Sequence, residues 1–227
     1  MKWLRRLPEA PVTSALIAAN LVIFVVMVVS SRKLMGFEPD TMIYAGANVA
    51  GTPQDVSHWR LLTAAFVHFH LLHIGMNMWV LTQIGVISER TIGPGVIGAA
   101  YVVTGTLGNV ASTVFNGWRH RPTISAGASG AIMGLIGLAA AFAWRTDQKG
   151  LARGLATNVG FVLVLGYFLN LDNAAHLGGF VSGAIIGLLR ARWPQRLPRG
   201  ADVALLGASL AVSIAAFVVV HSYHGVH

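Results

Sequence analysis

Seven apolar runs of roughly 17 residues recur along the chain, and their length constrains the fold more than any other feature of the sequence. A helix of that length crosses the hydrocarbon core of a bilayer. The runs are Thr13–Ser30, Leu71–Ile87, Val96–Phe115, Gly127–Trp144, Leu155–Leu171, Ala174–Leu189 and Val203–Val220. The sequence therefore predicts an all-α polytopic membrane protein.

The composition agrees with this class. Hydrophobic residues make up 55% of the 227 residues and charged residues 11%, with a mean hydropathy of +0.65, which is too apolar for a soluble surface. The chain has no cysteine, so disulfides and thiolate-based zinc or redox chemistry are excluded. The net charge of +8 comes from basic residues between the apolar runs, as anchoring to anionic lipid requires. We therefore expect membrane lipid, and no nucleic acid, as the partner of these charges.

Basic residues also predict the orientation. With a cytoplasmic N-terminus, eleven of them fall inside and five outside, as the positive-inside rule favours. The inner residues are Lys2, Arg5, Arg6, Arg90, Arg145, Lys149, Arg153, Arg190, Arg192, Arg196 and Arg199, and the outer ones are Arg32, Lys33, Arg60, Arg119 and Arg121. We predict a multi-pass protein of the cell membrane with residues 1–12 in the cytoplasm. The first run is longer than the apolar part of a signal peptide, so we expect it to be a retained helix.

Four polar side chains lie near the outer ends of three predicted helices. His73 and Asn77 are on the second helix, Ser129 is at the start of the fourth, and His176 is at the start of the sixth. These helices run in the same direction, so the four groups lie at one depth, near the outer water. Polar groups are costly in a membrane, so their coincidence indicates a functional site and favours a hydrolytic one.

Glycines follow Ser129 and His176 along their helices. The first stripe is Gly130, Gly134 and Gly137, and the second is Gly179, Gly183 and Gly187. Small residues at this spacing let membrane helices approach closely. We therefore expect the fourth and sixth helices to pack together.

Each polar residue also has a plainer interpretation. A serine in a membrane helix often bonds back to a carbonyl one turn earlier, and a histidine near a helix end is often an interfacial residue. His73 and Asn77 could form an interhelical hydrogen-bond pair. His68, His70 and His73 suggest zinc, but their spacing does not place three ligands on one helical face, so we predict no metal site. The coincidence at one depth favours catalysis over these alternatives.

Five motifs, in order and at matching helix positions, make the chain resemble a rhomboid intramembrane serine protease. They are Trp59-Arg60, His73-x-x-x-Asn77, Gly85-x-x-x-Glu89-x-x-x-Gly93, Gly127-x-Ser129-Gly130 and His176-x-x-Gly179-x-x-x-Gly183. The resemblance implies a rhomboid-like six-helix catalytic core over residues 13–192. Residues 193–227 would then form a linker, an added seventh transmembrane helix and a short outer tail.

The resemblance implies a Ser–His dyad in which Ser129 is the nucleophile and His176 is the general base and then the acid. It also implies an oxyanion hole formed by the Ser129 backbone N–H, the Asn77 amide and the His73 side chain. Asp172, the carboxylate nearest to His176 in sequence, is expected to be a loop residue. No metal or organic cofactor is implied.

Other motif residues are expected to support the site. Glu89 and Arg90 would tie down the inner loop, and Trp59 and Arg60 would brace the outer loop at the membrane interface. The glycines that would allow close backbone approach are Gly127, Gly130, Gly179 and Gly183. Met133 stands where the family often has a tyrosine, one turn after the serine, so the support of the base should differ here.

The expected function is cleavage of membrane-anchored protein substrates in or near their transmembrane segments. Two alternatives remain open. A catalytically silent rhomboid-like scaffold would bind transmembrane helices without cleaving them. A small transporter would also place polar groups and glycines at the starts of broken helices, but no inverted repeat is visible in the sequence.

Overall fold

The computed structural model describes residues 7, 9–50, 58–193, 197, 198, 200–205, 207, 208 and 211. In this part of the chain the helices are α1 (Pro11–Ser31), α2 (Pro39–Tyr44), α3 (Arg60–Thr63), α4 (Leu71–Ile92), α5 (Pro94–Trp118), α6 (Ser129–Arg145), α7 (Lys149–Phe168) and α8 (Asn173–Arg190). A single 3-10 turn, Ala64–Phe66, follows α3, and the strands are β1 (Asn48–Ala50) and β2 (Thr123–Ser125).

The long helices of the described chain, α1 and α4 to α8, coincide with the first six predicted apolar runs. By length and composition, α1, α4, α5 and α7 can each cross a membrane, and α6 is a shorter apolar helix of 17 residues. Helix α8 has 18 residues, and its polar residues Asn173, His176 and Arg190 lower its mean hydropathy. The chain is thus a polytopic helical membrane protein. The seventh predicted run, Val203–Val220, falls largely outside the described residues.

Two features differ from the predicted all-α bundle. Strands β1 and β2 form a small antiparallel sheet in which Asn48 pairs with Ser125. This sheet joins the segment after α2 to the segment that leads into α6. Helix α7 begins at Lys149, six residues before the predicted run that starts at Leu155. Its first turns include the basic residues Lys149 and Arg153, which an apolar run leaves out.

A carboxylate from α4 holds the start of α1. Glu89 accepts hydrogen bonds from the backbone N–H groups of Val12 (3.0 Å) and Thr13 (2.7 Å) and from the Thr13 hydroxyl (2.7 Å). The first amides of a helix lack intrahelical acceptors, so Glu89 caps α1 from another helix. Arg90 pairs with Glu9 at 2.7 Å. Both residues thus hold the start of α1, whereas the sequence predicted that they would tie down the inner loop.

Helices α6 and α8 form the most extensive helix pair in the described chain. A Cβ atom at Gly179 would overlap the carbonyl oxygen of Gly130, and one at Gly183 would overlap that of Gly134. Only glycine permits so small a separation of two helix backbones. The contact predicted from the two glycine stripes is therefore present, and it brings the first turns of α6 and α8 together.

Candidate active site

Ser129 and His176 are hydrogen-bonded across the first turns of α6 and α8. Ser129 Oγ lies 3.0 Å from His176 Nε2, although the two residues are 47 positions apart in the chain. Ser129 is the first residue of α6, so its backbone N–H has no intrahelical acceptor. His176 is 5% exposed, whereas Ser129 is half-buried. The pair therefore joins a buried histidine to a serine that is partly exposed.

Two side chains of α4 face the backbone that leads into Ser129. Gly127 has a φ of +123°, which residues with a side chain rarely adopt, and its N–H donates to the Ala64 carbonyl oxygen at 2.9 Å. A Cβ atom at Gly127 would lie 2.9 Å from His73 Nε2 and 3.7 Å from Asn77 Nδ2. Glycine thus lets both side chains approach this backbone closely.

The hydrogen bonds of His73 and Asn77 determine which of their atoms remain donors. His73 Nδ1 accepts from the Phe69 N–H at 3.5 Å, which puts the proton of a neutral ring on Nε2. One Asn77 Nδ2 hydrogen goes to the His73 carbonyl oxygen at 3.1 Å, and the second remains for another acceptor. His70 caps α4 by accepting from the His73 N–H at 3.1 Å. The first turns of α4 therefore present two N–H donors beside Gly127.

His68 belongs to this site, although the sequence assigned it no catalytic or supporting role. Its fully buried ring lies 5.1 Å from the His73 ring, centre to centre, and its Nδ1 lies 3.3 Å from the Phe66 carbonyl oxygen. Burial, with a smaller contribution from His73, lowers the pKa of His68 to about 3, so the ring is neutral at pH 7. The available sequence signal was the run of histidines that leads into α4.

No group of three or more histidine or acidic side chains in the described part of the chain is arranged to hold a metal ion. The histidines that suggested zinc instead make contacts with the backbone. His70 bonds to the first turn of α4, and His68 lies against the Phe66 carbonyl oxygen.

The Asp172 carboxylate caps α8 and does not bond to the imidazole of His176. One of its oxygens accepts from the Ala175 N–H at 3.1 Å, and the other accepts from the Ser112 hydroxyl of α5 at 2.5 Å. His176 Nδ1 is buried and has no hydrogen-bond partner among the described residues. Sequence reasoning missed Ser112, whose only signal was a polar residue inside the third apolar run. The arrangement thus contains a serine and a histidine without an acid bound to the imidazole.

Arg60 and Trp59 connect the segments between α1 and α4. The Arg60 guanidinium lies 4.3 Å from the centre of the Trp59 ring and donates to the carbonyl oxygens of Ile43 and Ala47, the latter at 3.3 Å. Arg60 is only 6% exposed, and a buried guanidinium needs such acceptors. These bonds hold the end of α2 and the residue before β1 against α3.

Met133 and Gly130 are the remaining predicted site residues of α6. Met133, one turn after Ser129, is 4% exposed and belongs to the main apolar core. A Cβ atom at Gly130 would lie 3.6 Å from the Ala175 carbonyl oxygen. Met133 thus fills its position with an apolar side chain, and Gly130 lies beside the first turn of α8.

A family model described as a rhomboid domain matches residues 55–193. The chain is 29% identical over 202 residues to the rhomboid-like protease 2 of Toxoplasma gondii, covering 83% of this chain and 70% of that protein. It is 30% identical over 201 residues to the rhomboid protease GlpG of Serratia proteamaculans, covering 84% and 65%. It is 32% identical over 161 residues to the rhomboid protease GluP of Bacillus subtilis, covering 67% and 31%. The chain therefore spans from 31% to 70% of these relatives' lengths. Because the matched domain covers more than half of the chain and includes His73, Asn77, Ser129 and His176, this protein belongs to the rhomboid family.

Proposed function

We propose that the protein is an intramembrane serine endopeptidase that uses Ser129 and His176 as a catalytic dyad. The observation that carries the proposal is the 3.0 Å hydrogen bond between Ser129 Oγ and His176 Nε2. A serine hydroxyl is a weak nucleophile unless a base within hydrogen-bond reach takes its proton. Here the base is on a different helix, and the glycine contacts between α6 and α8 keep the two groups together.

The dyad would act in two steps. Ser129 Oγ attacks the scissile carbonyl carbon while His176 Nε2 accepts the hydroxyl proton and then returns it to the leaving amine. Water, activated by the same imidazole, then attacks the acyl-enzyme and releases Ser129. This mechanism uses no metal or organic cofactor.

Three donors would stabilise the negative oxygen of the tetrahedral intermediate. They are the backbone N–H of Ser129, His73 Nε2 and the second amide hydrogen of Asn77. The close approach of His73 and Asn77 to Gly127, two residues before the nucleophile, supports this assignment. Fixed donors aimed at a developing charge are often the largest single contribution to catalysis.

The substrates would be membrane-anchored proteins that are cut in or near a transmembrane segment. A helix hides its carbonyl groups in hydrogen bonds, so the cleaved stretch must unwind, and helix-weakening residues should favour cleavage. In this proposal residues 13–192 form a six-helix core and an added seventh helix follows it. The N-terminus faces the cytoplasm, and the site opens toward the outer side of the cell membrane.

The test is incubation of the purified protein, in detergent, with a single-span test substrate beside a Ser129→Ala variant. Cleavage by the wild type and none by the variant supports the proposal. If the folded wild type binds the substrate without cleaving it, while an unrelated protease cuts the same substrate, the protein is the silent scaffold instead.

A further inference from the structure

The first turn of α8, which carries His176, contacts α5 at two points one helical turn apart. A Cβ atom at Gly108 would lie 2.7 Å from the Ala175 carbonyl oxygen, so α8 contacts the backbone of α5 there. Four residues further along α5, the Ser112 hydroxyl donates to Asp172 at 2.5 Å. Helix α5 therefore holds the backbone immediately before His176.

Ser112 is itself held by a neighbour on α5. Asn116 Nδ2 donates to the Ser112 carbonyl oxygen at 3.0 Å and to Ser112 Oγ at 3.2 Å. A hydroxyl has a single hydrogen, and the bond received from Asn116 leaves that hydrogen for Asp172. Ser112 is fully buried and Asn116 nearly so, and an unpaired polar group would be costly there. The bonds from Asn116 through Ser112 to Asp172 thus fix the position of the carboxylate.

Asp172 passes this restraint to α8. Its second oxygen accepts from the Ala175 N–H at 3.1 Å, and its carbonyl oxygen accepts from the His176 N–H at 3.2 Å. We propose that Asp172, held by Ser112, is the positioning residue for His176. It sets where α8 begins and how its first turn is rotated, and so it keeps Nε2 within reach of Ser129. This inference rests on the proposed function.

The hydrogen bonds of Asp172 reach the backbone of α8 and not the imidazole. Both its oxygens have other partners, whereas His176 Nδ1 has none among the described residues. An acid of a catalytic triad would instead accept from Nδ1. Position is therefore what the hydrogen bonds of Asp172 supply. Asparagine caps helices as well as aspartate does, and the Ser112 hydroxyl can accept from its Nδ2, so Asp172→Asn should preserve the function.

The experiment compares kcat and KM for wild type, Asp172→Ala, Asp172→Asn and Ser112→Ala in detergent. Asp172→Ala should lower kcat roughly 10- to 100-fold with little change in KM, because a small displacement of a base has effects of that size. The kcat of Ser112→Ala should lie between those of Asp172→Ala and wild type, and the kcat of Asp172→Asn should stay within about threefold of wild type. The control is Asn20→Ala, which removes a 3.0 Å hydrogen bond from α1 to the Tyr101 hydroxyl. It should lower the melting temperature and leave kcat unchanged.

A wild-type kcat in Asp172→Ala would overturn the inference, and so would an equal loss in Asp172→Asn and Asp172→Ala. Melting temperatures of the two alanine variants and their double variant test the link without any substrate. If the melting-temperature shift of the double variant differs from the sum of the two single shifts, the Ser112–Asp172 bond is supported. A double-variant shift equal to that sum contradicts the bond. If wild type itself does not cleave, the proposed function fails, and the melting temperatures still decide whether α5 holds α8 through this pair.

Discussion

The carbonyl oxygen of Gly134 occupies the space that any side chain at position 183 would need. The backbones of α6 and α8 touch there, about one turn deeper than the contact between Gly179 and Gly130. Ser129 and His176 are on the first turns of these two helices, so the distance between them depends on the separation of the backbones. The glycines that pack α6 against α8 therefore also set the distance between Ser129 and His176.

Gly183→Val should therefore reduce both stability and activity. Overpacking costs roughly 1–3 kcal/mol, and more where a backbone instead of a flexible side chain must move. Thermal unfolding in detergent and the cleavage rate measure the two losses. Gly160→Val on α7 is the matched control, because no described atom lies within 4 Å of its Cβ position. Equal effects of the two substitutions would contradict the role given to this contact.

Glu89→Ala should destabilise the protein by roughly 2 kcal/mol or more, because hydrogen bonds to charged groups are among the stronger ones. The change leaves the amides of Val12 and Thr13 without their acceptor at the start of α1. Glu9→Ala removes only an ion pair whose two side chains are about half exposed, which contributes at most about 1 kcal/mol. Chemical unfolding of the two variants gives the comparison. If both lose the same stability, the cap on α1 does not stabilise the fold as described.

Asn77→Ala should lower kcat by roughly 10²–10³ with little change in KM, the usual effect of losing one oxyanion donor. The Asn77 amide lies close to Gly127, and only one of its hydrogens is used, by the His73 carbonyl oxygen. Steady-state kinetics on the test substrate separates the two constants. A raised KM with an unchanged kcat would show that Asn77 binds substrate and does not stabilise the transition state.

The sequence predicted the elements whose signal is local. Apolar length located the six long helices, and the glycine stripes predicted the contact between α6 and α8. The partners of Glu89 and Asp172 could not be predicted from the sequence, because Glu89 bonds to a residue 76 positions away and Asp172 to one 60 positions away. Neither spacing leaves a periodic pattern, so only the tertiary fold identifies Thr13 and Ser112. The sheet was not predicted either, because its strands have only three residues each, too few to show an alternating pattern.

His68 should make the protein less stable in acid. Its folded pKa of about 3 lies below the ordinary value of 6.5, so under pH 6.5 the unfolded chain binds a proton that the folded chain does not. The stability linked to this proton is present in full above pH 6.5 and is lost as the pH falls toward 3. At pH 5 the loss amounts to about 2 kcal/mol. His68→Gln should flatten the dependence of unfolding free energy on pH by that amount. An unchanged slope would show that His68 takes up its proton while folded.

A fluorophosphonate probe tests the assembled site without any substrate. The probe reacts with a serine only when a nearby base raises its nucleophilicity and donors stabilise the phosphoryl oxygen. Wild type in detergent should be labelled at Ser129, and heat-unfolded protein should not be labelled. His176→Ala should lose most of the label although its serine is intact, because it lacks Nε2, the proposed base, which lies 3.0 Å from Ser129 Oγ in the wild type. Because Met133 stands in place of a tyrosine, labelling should be slower than in a rhomboid protease that has the tyrosine, but it should not be abolished. Folded wild type that resists the probe for hours, beside a serine hydrolase that reacts, would favour the silent scaffold over the protease.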